Sequence, residues 1–74
     1  MNDVILFYST NVALKMEKLV KAGGITAKLI PAPRHLSSDC TFALRFDRRR
    51  RAAVERILHN NEIEHAGIHP LDRF

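Results

Sequence analysis

The order in which two apolar periods follow one another along the chain constrains its fold more than any single residue does. Val4 to Tyr8 is an unbroken apolar, partly β-branched run ended by Ser9-Thr10-Asn11, which suits a central strand over residues 3 to 9, buried on both faces. Val12, Ala13, Met16, Leu19 and Val20 then recur at helical spacing, and at roughly 100° per residue they fall within one arc. Thr10 or Asn11 is available to cap that helix, Leu14 points away from the arc, Glu17 and Lys21 form an i,i+4 pair, and Gly23-Gly24 ends it. Ile25, Ala27 and Leu29 alternate with Thr26, Lys28 and Ile30. Phe42, Leu44 and Phe46 alternate in the same way, so residues 40 to 46 are expected to form another half-buried strand. Asp47 can cap a second helix through about residue 60, with Val54, Ile57 and Leu58 as its buried stripe and Asn60-Asn61 at its end. Residues 63 to 68, interrupted by Glu64, His65 and Gly67, make a weaker strand suited to an edge, and the tail from His69 to Phe74 has no period. The order is β-α-β-β-α-β. With right-handed crossovers the leading solution is an α+β, ferredoxin-like split β-α-β sandwich: a four-stranded antiparallel sheet with two helices on one face.

Size narrows the choice further. Seventy-four residues make one domain, 1–74, with a core from about 3 to 68, and a chain this short buries only about 60% of the surface it exposes when unfolded. A single cysteine leaves no internal disulfide and no zinc-type pair, so a homodimer through the sheet's open face is one way to add burial. The longest apolar run is Val4 to Tyr8 and no targeting pattern opens the chain, so it reads as cytoplasmic, with no membrane partner. The formal net charge of +4 is matched by Arg48, Arg49, Arg50 and Arg51 alone. Global basicity is therefore weak support for a nucleic-acid partner.

Between the two alternating strands lies Pro31-Ala32-Pro33-Arg34-His35-Leu36-Ser37-Ser38-Asp39-Cys40, which ends on the only cysteine. Its prolines fix the backbone, and Ser37, Ser38 and Asp39 can bond neighbouring main-chain groups, so a compact ordered loop is expected. The topology puts this loop beside Ser9, Thr10, Asn11 and the start of the first helix, with the arginine run at the far end of the sheet. Thiolates are the nucleophilic form of cysteine and are favoured near helix N-termini and cations. Thr10, Asn11 and the first-helix amides, together with Arg34, are candidates to stabilise an anionic sulfur on Cys40, with Ser37 and Ser38 as donors and His35 as a proton shuttle. Cys40 shares the parity of Phe42, Leu44 and Phe46, which turns its sulfur towards the core side. The competing reading of a lone cysteine at the start of a core strand is a small buried hydrophobe.

The other charged groups allow a second function. His35, His59, His65 and His69 are scattered without metal-ligand spacing, so no metal is expected. Each cation at a helix start is opposed by the helix dipole by roughly 0.3–1 kcal/mol, so something must offset Arg48–Arg51. Arg51 can reach Asp47 and Glu55, whereas Arg48, Arg49 and Arg50 have no acid at that spacing. One reading is a solvated edge; the alternative is an RNA- or acidic-protein-binding module. RNA-recognition modules share the element order but carry a Lys/Arg-Gly-aromatic motif on their third strand. Residues 40–46 lack it, leaving Phe7 as the strong stacking candidate, and nucleic acid is not the favoured partner.

Phe7-Tyr8-Ser9-Thr10, Ala13 to Leu19 and the loop from Pro31 to Cys40 resemble the selenium/sulfur carrier-like family of small bacterial proteins. The most specific part is Pro-x-Pro-Arg-x-x-Ser-x-x-Cys, met at Pro31, Pro33, Arg34, Ser37 and Cys40. The resemblance implies a carrier rather than a turnover enzyme, at most with a sulfurtransferase-like step. Cys40 would hold sulfur or selenium as a persulfide-like adduct, with no separate cofactor. A donor such as a cysteine desulfurase or selenocysteine lyase-like enzyme would load it, and an acceptor enzyme would take the atom. Family members commonly have glycine after the cysteine; this chain has Thr41, which leaves less room beside the sulfur.

Overall fold

The structure is a computed structural model that describes residues 1–36 and 39–71. Its elements are β1 (Asn2–Phe7), α1 (Thr10–Ala22), β2 (Ala27–Pro31), β3 (Phe42–Asp47), a 3-10 turn (Arg48–Arg50), α2 (Arg51–Asn60) and β4 (Gly67–Leu71). The strands form one antiparallel sheet in the order β2-β3-β1-β4. This is the expected ferredoxin-like α+β arrangement, with β1 and β3 at the centre of the sheet.

Strand periodicity accounts for the two faces. Ile5 and Phe7 of β1, Ala27 of β2 and Leu44 and Phe46 of β3 join Ala13, Met16 and Val20 of α1 and Val54 and Leu58 of α2 in the main core. Val4, Leu6, Ala43 and Leu71 form a smaller cluster, which alternation puts on the opposite face. Val4 to Phe7 is therefore inaccessible on both sides, as its continuous apolar character requires. Fully burying side chains of this size stabilises the fold by about 1.5–3 kcal/mol each. Phe7 is sealed in the main core, so it offers no platform for stacking a base.

Helix α1 follows its apolar arc: Ala13, Met16 and Val20 are buried, Val12 and Leu19 pack against the core, Leu14 is exposed, and Glu17 meets Lys21 at 3.4 Å. Its N-cap is Ser9, ahead of the expected Thr10 or Asn11, and the Ser9 side chain makes no capping bond. Both helices end in the same way. Ile25 N–H donates to Val20 O and Gly24 N–H to Lys21 O, with Gly24 at φ +78°. Ile63 N–H donates to Leu58 O and Glu62 N–H to His59 O, with Glu62 at φ 50°. These are Schellman caps, which need a left-handed residue just past the helix.

The last strand lies further along the chain than residues 63 to 68. Ile63 is consumed by the α2 cap and buried against the core, so pairing begins only at Gly67 and runs into the segment that showed no period. Pro70 is admitted because β4 pairs on one side only, with β1.

Candidate functional site

The loop that carries Cys40 is tied at its base. Pro31 faces Phe42 across β2 and β3, and Ala32 N–H donates to Thr41 O at 3.3 Å. Within the loop Leu36 N–H donates to Pro33 O at 3.1 Å, closing a turn in which Arg34 and His35 are exposed. Ser37 and Ser38 lie outside the described residues.

Thr41 decides where the sulfur goes. Its N–H donates to Phe7 O at 3.2 Å, although Phe7 is already the register partner of Phe42. Two residues of the returning chain thus oppose one residue of β1, which is the arrangement of a β-bulge, and the face alternation shifts by one. Cys40 accordingly does not share the side of Phe42, Leu44 and Phe46, as unbroken parity required. It packs with Ile30, Ala32, Leu36 and Ala66 against the Val4–Leu6–Ala43–Leu71 cluster on the face without helices. There it is partly exposed and is neither sealed among phenylalanines nor covered by α1. The Thr41 hydroxyl also donates to Tyr8 O at 3.3 Å, so the residue in the position where glycine was expected anchors the loop to the end of β1.

The expected end of the sheet is the right one, but the sides differ. Thr10 and Asn11 open α1 on the helix-bearing face and are exposed, whereas Cys40 sits on the other face. The first-helix amides and the sulfur share one end of the sheet without sharing one side of it. Among the described residues the Arg34 guanidinium makes no hydrogen bond or ion pair, so it is a free cation in the loop. Tyr8, whose carbonyl receives Thr41, is 55% exposed.

The arginine run lies at the opposite end and is largely spent on structure. Arg48 Nε donates to Asp3 Oδ1 at 2.7 Å, and Arg51 reaches Asp3 Oδ2 at 3.4 Å and Glu55 at 2.7 Å. Asp47 accepts from the Arg49 backbone and holds its guanidinium at 2.9 Å, so Asp47, and not a partner of Arg51, is the cap of the 3-10 turn. Arg49 beside it holds the Asp47 carboxyl at about 2, below the ordinary carboxylate range, and the Arg49 and Arg51 guanidiniums are in turn pushed up by Asp47 and Glu55. The carboxylates of Asp3 and Asp47 therefore offset cations that the helix dipole opposes. Asp3 is fully buried beneath the start of α2, 45 residues before its partner Arg48, a pairing that i,i+4 spacing could not reveal. Of the four arginines of the run, Arg50 alone has no partner among the described residues. That spending weakens the case for an RNA or acidic-protein surface built on the run.

Two further observations bound the chemistry. An open groove of about 870 Å³ lies between the end of α2 and β4, lined by Glu55, His59, Glu62 and His65 over Leu58, Ile63 and Ile68, away from the cysteine loop. Among the described residues no helix is long and apolar enough to cross a membrane, and no three His, Cys, Asp or Glu converge as metal ligands.

A sequence model of the family described as "Putative Se/S carrier protein-like" matches residues 2–70. No curated protein and no solved structure matches the chain.

Proposed function

Because the chain belongs to the Se/S carrier protein-like family, we propose that Cys40 is the atom-carrying residue and that it accepts sulfur or selenium from a donor protein and passes it to an acceptor. The observation that carries this reading is the placement of the thiol: partly exposed, on the helix-free face, at the end of a loop pinned by Thr41 to Phe7 and Tyr8. A partly exposed sulfur at the end of a pinned loop offers the access that thiol exchange needs.

In the loading step the Cys40 thiolate attacks the outer, sulfane sulfur of a donor persulfide. The donor's S–S bond breaks, its thiolate leaves with the electron pair, and Cys40 becomes a persulfide, with no net oxidation or reduction. In the delivery step a nucleophile of the acceptor attacks the same outer sulfur and the Cys40 thiolate departs. Selenium would follow the same course as a selenosulfide. Arg34 is the group able to lean over an anionic adduct, because its guanidinium is otherwise uncommitted among the described residues. His35, exposed in the same turn, would shuttle a proton, and Ser37 and Ser38 complete the proposed loop donors. Thr10 and Asn11 serve at most the rim of the site, since they sit on the other side of the sheet. No resident cofactor enters this scheme.

The test is loading from a persulfide donor followed by intact mass measurement. One chalcogen atom is expected on the wild type and none on Cys40→Ala. An unmodified wild type, or equal modification of Cys40→Ala, overturns the proposal.

A further inference from the structure

We infer that Thr41 is a positioning residue of the sulfur site, and that its side-chain hydroxyl locks the bulge that turns Cys40 to the helix-free face. This rests on the carrier reading of Cys40. Thr41 is exposed, yet its N–H, its carbonyl and its hydroxyl are all engaged. The N–H donates to Phe7 O at 3.2 Å, the carbonyl accepts from Ala32 N–H at 3.3 Å, and the hydroxyl donates to Tyr8 O at 3.3 Å. The residue next to Cys40 is thus tied to the other arm of the loop and to two successive carbonyls at the end of β1.

Two arrangements of this peptide compete, and they differ by one residue. Pro31 faces Phe42, so a regular ladder continued one step sets Ala32 against Thr41 as a bonded pair. Such a pair exchanges both of its N–H to O=C bonds, so the Thr41 N–H would return to Ala32. Continued in the same way, the β1–β3 register sets Tyr8 opposite Thr41, and Cys40 returns to the side of Phe42, Leu44 and Phe46. Only half of that pair is kept: Ala32 still donates to the Thr41 carbonyl, whereas the Thr41 N–H has swung to Phe7 O. The hydroxyl bond to Tyr8 O holds the swung peptide against β1, and with it the sulfur on the face where Leu36 and Ala66 pack. One net hydrogen bond shifts an equilibrium of this kind by about two- to tenfold. Without it the alignment has to be found at the moment of transfer, which slows the reaction by up to that factor.

The experiment uses three variants of the full chain. Thr41→Val removes the hydroxyl at nearly constant shape, Thr41→Ser keeps it, and Thr26→Val makes the same change at an exposed position beside β2, at the other end of the sheet. The reaction of Cys40 is timed by intact mass with two reagents. With iodoacetamide a C–S bond forms at the sulfur and iodide leaves; with glutathione persulfide the outer sulfur moves to Cys40 and glutathione thiolate leaves. The exchange of the Thr41 amide, corrected for intrinsic rates, reports the opening of the bulge. In Thr41→Val the amide of residue 41 is expected to exchange about fivefold faster, and Cys40 to react about threefold more slowly with both reagents. Thr41→Ser should restore each value to within about twofold of wild type, and Thr26→Val should match wild type. A purely structural contribution would lower the urea midpoint of Thr41→Val and leave the reaction rates of the folded protein alone. Thr41→Val reacting as fast as wild type or faster, or Thr41→Ser failing to rescue it, overturns the positioning role while Cys40 keeps its own. A wild type that is alkylated but takes no sulfur from glutathione persulfide overturns the carrier reading, with the position of the thiol still read from iodoacetamide.

Discussion

Replacing Arg48 by Met should unfold the protein far more readily than the loss of a surface arginine would. Asp3 is fully buried, and Arg48 supplies its shortest contact, 2.7 Å from Nε to Oδ1, while also bonding the carbonyl of Asn2 at 3.3 Å. After Arg48→Met the carboxylate keeps only Arg51, at 3.4 Å. Removing one partner of a buried pair costs about 3–5 kcal/mol. The Arg48 side chain is 35% exposed and Arg51 remains, so the lower end applies, about 3 kcal/mol. In a domain of this size each kcal/mol moves the melting temperature by about 4–8 °C, giving a drop of roughly 12–24 °C. Urea unfolding should show a lower midpoint at an unchanged slope. The double variant Asp3→Leu/Arg48→Met should be more stable than Arg48→Met, because it leaves no orphaned carboxylate. A loss below about 1 kcal/mol for Arg48→Met, or a double variant no better than the single, would refute the view that Asp3 is a buried charge dependent on Arg48.

Two further outcomes follow from the same geometry. The Asp47 carboxyl titrates at about 2, below its ordinary 3.8, so its contribution to stability is complete above about pH 4 and is lost as the pH falls through about 2. Carboxyl NMR titration of Arg49→Ala should return the midpoint towards 3.8, and an unchanged midpoint would show that Arg49 is not the cause. Glu62 occupies the left-handed position of the α2 cap at φ 50°, so Glu62→Gly should stabilise the fold by about 0.5–1 kcal/mol in urea unfolding, and a destabilised variant would count against that assignment.

Much of the fold was legible because local pattern and tertiary demand agree. The β-α-β-β-α-β order, the α1 arc and the far-end position of the arginine run all follow from periods read within one segment. Where two segments had to be known together, the sequence was silent. Asp3 reads as an ordinary polar residue at a strand start until the fold brings Arg48 and Arg51 over it. The side taken by Cys40 depends on one extra residue opposite Phe7, which alternation within residues 40–46 cannot reveal. The start of β4 was misplaced because Ile63 looks like a strand residue, whereas its burial serves the end of α2. The candidate site was legible as a loop and a sulfur, while the bond from the Thr41 hydroxyl to the Tyr8 carbonyl, which ties that loop to β1, joins residues 33 apart and emerges only from the fold.

The four residues between Asp3 and Tyr8 keep two ends of β1 apart. The buried carboxylate and its arginines lie at one terminus of β1, and the bond that pins the Cys40 loop lies at the other. If Cys40 carries an atom as proposed, its arrival and departure would take place at the second terminus, leaving the ion pairs at the first in place.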